Sequence, residues 1–235
     1  MPPAKDKPMI DLKTIKQDCD VVEDGDKTAA RICRINGELQ QGYFHLGHFK
    51  RSVTFFGGAR FVEGDVWYER VRHLASRIVK EVGFTVITGG GPGMMEAANR
   101  GAKEAGGQSI GITIKLPHEQ SDNPYLTESI PFNFFFTRKT ILNYAAEMYI
   151  ACPGGFGTLD ELMEVLTLMQ TKKVAKVPVF LYGVSFWTPM LVFIKQILLK
   201  EYNTIALEDL DFFKVTDDDD EIIATLKKAH VVKGY

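Results

Sequence analysis

The chain predicts an α/β fold: a doubly wound, mostly parallel sheet with helices on both faces. Three observations predict it. From Ser52 onward, short apolar runs alternate with segments of helical periodicity. Two of those runs empty into glycine-rich turns, GGGPG at Gly89–Gly93 and PGGFG at Pro153–Gly157, and a helical pattern follows each. The composition is that of an ordinary globular chain, with 235 residues, 45% hydrophobic and 25% charged, which suffices for one α/β domain with a substantial core. Residues 1–27 are proline- and charge-rich and are expected to form a flexible N-terminal arm, leaving 28–235 as a single domain fronted by a helix over 28–48.

The bulk numbers exclude several classes of function. A formal net charge of −2 gives no electrostatic footprint for nucleic acid or an anionic membrane. No apolar run reaches membrane-spanning length, and the polar start MPPAKDKPMIDLK lacks the apolar segment of a signal peptide. A cytoplasmic location is expected. Three cysteines (Cys19, Cys33, Cys152) without CxxC spacing read as reduced thiols rather than a disulfide framework.

Taken in order, Ile32, Ile35, Leu39, Tyr43 and Leu46 keep a helical spacing that Gly37 and Gly42 weaken. His45 and His48 close this helix; with no third ligand in reach of the pattern they read as surface. Ser52–Phe56 is the first strand and ends in Gly57-Gly58-Ala59-Arg60, where α/β folds leave room for a nucleotide. Arg60 is either a ligand contact or a loop cation. Positions 65–82 form a helix with Val66, Val71, Leu74, Ile78 and Val82 on one side.

Phe84–Thr88 is the second strand, and the Gly89 turn leads from it into a helix over 95–104. Glu96 in that helix either reaches the crevice or complements the dipole. Ser109–Ile114 is the third strand; the loop after it carries His118 and runs to Ile130. Phe132–Phe136 reads as a short strand or an aromatic wall, and a helix over 137–147 follows. Arg138 and Lys139 place two cations at that helix's start, against its dipole, and such a broken local rule marks a site. A solvated basic pair is the alternative.

The most informative stretch is Cys152–Glu164, CPGGFGTLDELME, between the buried run Met148–Ala151 and a helix carrying Leu162, Val165, Leu166 and Met169. Main-chain N–H groups at a helix start have no intrahelical partner and sit at the positive end of the dipole, so this turn can hold a phosphate. Thr158 can cap the helix or donate to the anion, and Glu161, one turn in, is a candidate for chemistry on what the phosphate carries. Glycine turns also occur with no ligand; a second one in the same sheet favours a shared crevice. Neither turn fits the GxGxxG dinucleotide fingerprint, which meets Met94 and Asp160 where glycine is required, and no GK[ST] marks a P-loop. Beyond, Val177–Tyr182 is a buried strand, Trp187–Leu199 a helix apolar on most sides, Phe212–Val215 a last strand, and Asp217–Asp220 cap the closing helix over 221–229.

Together PGGFGTLDE, the upstream FTRK and GGGPGMMEAAN resemble the LOG (Lonely Guy) family of phosphoribohydrolases, whose signature is PGGxGTxxE and whose members were once labelled "possible lysine decarboxylase". The likeness runs from Ser52 to the end, and the helix before Phe49 with FFGGAR is similar to the longer, type II branch, itself similar to AMP nucleosidases. FFFTRK stands where plant-like members have MHxRK. The resemblance implies a Rossmann-like fold and hydrolysis of the N-glycosidic bond of a nucleoside 5′-monophosphate, AMP or an N6-modified AMP as in cytokinin activation. It implies a homodimer or homohexamer with sites near the subunit interface, no cofactor and no metal. It places the catalytic pair on Arg138 and Glu161. Substrate and phosphate contacts fall on Gly57, Gly58, Gly90, Gly91, Gly93, Met94, Lys139, Gly154, Gly155, Phe156, Gly157 and Thr158. A non-enzymatic nucleotide-binding or cofactor-carrier protein on the same fold is the alternative; it needs the glycine turns but not Arg138 and Glu161 together. No lysine sits in a recognisable pyridoxal-phosphate context, so decarboxylation finds no support.

Overall fold

The computed structural model describes residues 27–49, 51–115 and 122–229; the expected N-terminal arm up to position 26 and His118 lie outside the described residues. The described residues open with helix α1 (Lys27–Leu46). Its glycines do more than weaken it, because a Cβ on Gly42 would lie 2.3 Å from Ile141 Cγ1. The helix therefore lies closer to its neighbour than any larger residue allows.

Six crossovers follow. They run β1 (Ser52–Phe56), α2 (Val66–Val82), β2 (Thr85–Thr88), α3 (Met94–Glu104), β3 (Ser109–Ile114), β4 (Glu128–Phe132), α4 (Phe135–Asn143), β5 (Met148–Ala151), α5 (Phe156–Gln170), β6 (Val179–Tyr182), α6 (Val184–Phe193), β7 (Lys214–Thr216) and α7 (Asp219–Lys228). The strands form one seven-stranded sheet, order β4-β3-β2-β1-β5-β6-β7. Every pairing is parallel, with Val53 of β1 opposite Val86 of β2 on one side and Met148 of β5 on the other.

Strand alternation sorts the core into two faces. Val53, Phe55, Val86 and Ile150 pack against Val71, Leu74 and Ile78 of α2 and Ala97 and Ala98 of α3, with α7 beside them. On the opposite face Ile87, Ile110 and Ile112 meet Ile141 and Leu142 of α4, while Tyr149 and Leu181 meet Leu162, Val165 and Met169 of α5 and Trp187 of α6. Each such apolar side chain contributes roughly 1.5–3 kcal/mol by leaving water. The chain winds outward from β1 through β2 and β3, then returns through α4 to β5 on the other side of β1. The C-terminal ends of β1 and β5 thus flank the point where the winding reverses, and such sheets open a crevice there.

The structure corrects several expectations. The strand before α4 is Glu128–Phe132, not Phe132–Phe136. It is an edge strand holding Pro131, which an edge tolerates and which hides the pattern from sequence. Phe135 and Phe136 are exposed and start α4, which ends at Asn143 rather than at 147. Helix α6 starts at Val184, continues with π geometry over Ile194–Glu201, and buries only Trp187 and Ile194, leaving Val192 and Phe193 exposed. A 3₁₀ segment, Leu207–Phe212, occupies the expected start of the last strand. Cys33 is disulfide-bonded, against the expectation of reduced thiols, whereas Cys152 is free and buried.

The expected cap of the closing helix is in place. Asp218 caps α7 by accepting from the Asp220 and Glu221 amides. His45 pairs with Glu128 at 2.7 Å. No cluster of metal-ligating side chains occurs among the described residues, nor does any helix there that is long and apolar enough to cross a membrane.

Candidate active site

Three glycine-rich turns at the strand ends are tied together main chain to main chain. The Gly58 amide, after β1, donates to the Pro153 carbonyl after β5 at 3.0 Å, and the Gly58 carbonyl accepts from the Met94 amide at the start of α3 at 3.0 Å. Only glycine fits at position 93, where φ is +74° and a Cβ would stand 2.3 Å from the Gly58 oxygen. Trp187, fully buried, fixes the exit of β5 by donating its indole N–H to the Ala151 carbonyl at 3.0 Å.

A cleft of about 720 Å³ opens over these turns. Of the residues expected to touch phosphate or substrate, Gly57, Gly58, Gly90, Gly91, Gly154, Gly155, Phe156, Gly157 and Thr158 line it. Helix α5 points its N-terminus into the cleft, has Gly155 as its N-cap residue and has no side-chain cap, so its positive end is available to an anion. Thr158 does not cap the helix; it is buried against Gly154. Gly93 and Met94 lie beneath the cleft, where Met94 is core. Lys139 is also outside the lining. Its ammonium clamps α4 to α5 through Asp160 at 2.8 Å and Glu164 at 2.9 Å. Glu96 accepts from the Tyr68 hydroxyl at 2.8 Å and is likewise absent from the lining, whereas Arg60 is part of it.

Arg138 and Glu161 both face the cleft, with Arg138 Nη1 3.5 Å from Glu161 Oε1. Arg138 is only 8% exposed; its Nε donates to the Ile112 carbonyl at 2.8 Å, and its guanidinium lies where a Cβ on Gly89 would collide with it. Burial lowers the Arg138 pKa from its ordinary value and Glu161 opposes that, so the group remains a cation. The Glu161 side chain keeps 16% exposure. Burial raises its pKa to about 7; Arg138 pulls the other way, Asp160 adds to the rise, and Lys139 and Glu164 act more weakly. A carboxyl poised near neutrality beside a fixed cation can take up and release a proton at working pH.

Sequence reasoning named Phe135 and Phe156 but missed Phe61 and Phe186. Phe61, Phe135 and Phe186 join Phe156 around the cleft, and Phe156 is 93% exposed, an aromatic edge that can meet a planar base. Asn123, buried behind the Gly89 turn, donates to the Gly90 carbonyl at 3.1 Å, the Gly91 carbonyl at 3.0 Å and Asn99 Oδ1 at 3.0 Å. The only signal for it was an Asn-Pro dipeptide in a loop.

The fold and the cleft define an α/β protein of Rossmann-like architecture with a glycine-lined cleft and an acid–cation pair at its switch point. Residues 95–226 match the family model described as "possible lysine decarboxylase". The chain belongs to this family, the LOG family. The chain is similar to the cytokinin riboside 5′-monophosphate phosphoribohydrolase LOG of Oryza sativa subsp. japonica, at 32% identity over 62% of this chain and 60% of that protein. It is similar to LOG2 of Arabidopsis thaliana at 30% identity over 62% of this chain and 69% of that one. The chain thus spans less than two thirds of the rice relative's length. Among solved structures, the molybdenum cofactor binding protein of Rippkaea orientalis aligns at TM-score 0.55 and 20% identity, covering 77% of this chain and 98% of that one. The molybdenum cofactor carrier protein of Chlamydomonas reinhardtii aligns at TM-score 0.53 and 24% identity, covering 77% and 98%. At such identity these two likenesses speak for the fold.

Proposed function

We propose that the protein is a nucleoside 5′-monophosphate phosphoribohydrolase that releases the base of AMP or an N6-modified AMP and leaves ribose 5-phosphate. The observation that carries this reading is the Arg138–Glu161 pair, 3.5 Å apart at the mouth of an uncapped helix N-terminus lined by glycine. Family membership and the activity of the rice and Arabidopsis relatives support it.

In this reading the 5′-phosphate sits on the Gly154–Thr158 turn at the start of α5, and its binding energy positions the sugar. The C1′–N bond breaks with its electron pair leaving on the base, so the sugar passes through an oxocarbenium-like state. Ionised Glu161 stabilises that positive charge and takes a proton from the water whose oxygen bonds to C1′; that proton then passes by way of solvent to the departing base nitrogen, so the base leaves neutral and Glu161 returns to its ionised form. Arg138 opposes the burial that raises the Glu161 pKa to about 7, so a share of the carboxyl is ionised near neutral pH, and it orients the leaving base or the ribose. The exposed Phe156 and Phe135 offer a face to the base. Exposed Ile32, Phe135 and Phe136 on α1 and α4 support assembly as a homodimer or larger homo-oligomer with the clefts near the interface, to be checked by light scattering.

The test incubates the protein with AMP, N6-isopentenyladenosine monophosphate, GMP, CMP and UMP, and follows free base by chromatography. Base release from the adenine nucleotides is expected, and adenosine without phosphate should react poorly. Glu161→Gln is expected to slow release about 10²–10⁴-fold. Release at the wild-type rate would refute the assignment. Tight nucleotide binding with no release by either protein would instead favour a carrier.

A further inference from the structure

The first turn of α4 presents Arg138 to the cleft, yet a helix N-terminus repels a cation and leaves its first amides unpaired. No residue of α4 caps it: its N-cap is Phe134. The compensation comes from α1, far away in sequence. Glu38, buried at 7% exposure, reaches across the close contact made by Gly42 and Ile141. Its Oε1 accepts from the Asn133 amide at 2.7 Å and Asn133 Nδ2 at 2.8 Å; its Oε2 accepts from the Thr137 hydroxyl at 2.5 Å and the Phe134 amide at 3.4 Å. A single carboxylate thus ties the two residues before α4 to the Thr137 hydroxyl of its first turn and adds negative charge where the dipole is positive. Thr137, the residue bonded to it, is the neighbour of Arg138 in the chain.

We infer that Glu38 is a positioning residue for Arg138: its buried carboxylate holds the N-terminal turn of α4 and thereby sets where the guanidinium meets Glu161 and the substrate. This rests on the proposed reading of Arg138 and Glu161 as the reactive pair. Glu38 lies outside residues 95–226, the part matched by the family model, so the device belongs to the preceding helix rather than to the matched core. It touches none of the glycine turns and does not line the cleft.

The test compares Glu38→Gln, Glu38→Asp and wild type. Gln keeps the shape but turns an amide toward several donors. With the phosphate cradle untouched, kcat for base release from AMP is expected to fall about 10–100-fold while KM stays within about twofold. Asp, which retains the charge on a shorter stem, should recover part of that loss. In an Arg138→Ala background, Glu38→Gln should cost little more, because the residue acts through Arg138; equal loss in both backgrounds overturns the inference. A substrate-free reading stands beside this. The Arg138 Nε–H, bonded to the Ile112 carbonyl and assigned in NMR spectra by its absence from Arg138→Ala, should exchange with solvent at least about tenfold faster in Glu38→Gln.

Should wild type release no base from any nucleotide, the proposed activity fails and the exchange measurement alone decides the role of Glu38. Unchanged kcat and unchanged exchange in a folded Glu38→Gln protein overturn it while leaving the proposed activity intact. Unfolding of both Glu38 variants overturns it too, making Glu38 a folding residue.

Discussion

Glu161 costs the folded protein stability above neutral pH, and removing its charge should recover it. Its pKa rises from 4.5 to about 7 on folding because burial strips water from the carboxylate faster than Arg138 compensates. The folded chain therefore holds a proton that the unfolded chain releases between those values, so stability falls as pH climbs through that window. From the two pKa values, the loss between pH 5 and pH 8 is about 2.5 kcal/mol at ~1.4 kcal/mol per pKa unit. Glu161→Gln cannot ionise and escapes this loss, while every other titrating group is common to both proteins. The gain in Tm of Glu161→Gln over wild type should accordingly be larger at pH 8 than at pH 5 by about 5–10 °C, at 2–4 °C per kcal/mol for a chain of this size. Differential scanning calorimetry at the two pH values measures it directly. An equal Tm difference at both would show that Glu161 titrates like a solvated carboxylate, and the argument for a poised group would fall.

Three further outcomes are expected. Base release should rise with pH through about 7 as Glu161 ionises; Arg138→Ala, which deletes the largest influence lowering that pKa, should move this limb to higher pH, as a pH–rate profile would reveal. Asn123→Ala strips the amide from the Gly90 and Gly91 carbonyls and should destabilise the fold by about 1–3 kcal/mol, seen in urea denaturation, with a raised KM for the nucleotide. Cys152 is fully buried and its thiol is pushed well above the ordinary range by burial alone, so a thiol reagent should leave it unmodified until urea unfolds the chain; prompt labelling at neutral pH would contradict this.

What sequence made legible was whatever is local. The runs Ser52–Phe56, Ser109–Ile114 and Met148–Ala151 are strands with the expected bounds, because continuous apolar runs between turn residues have few other fates. The convergence of the glycine turns and the nearness of Arg138 to Glu161 followed from parallel winding, since strand ends of one polarity share one edge. What stayed hidden depends on partners distant in the chain. The Glu128–Phe132 edge strand is disguised by Pro131 and buries only alternate residues. Asn123 matters for what it holds, not for its neighbours in sequence. Lys139 carries the same charge as Arg138 and sits next to it, yet a helix turns adjacent residues about 100° apart, which sends one to the cleft and the other to Asp160 and Glu164.

The proposed reactive pair brackets a single short strand: Arg138 precedes β5, Glu161 follows it, and the two are 23 positions apart. Acid and cation therefore form one contiguous cassette, hinged on the middle of the sheet. A one-residue insertion within Met148–Ala151 would shear the two halves past each other and silence both at once, whereas loops elsewhere can lengthen without disturbing their spacing. Such a segment is a natural unit for grafting onto another parallel sheet that opens at the same place.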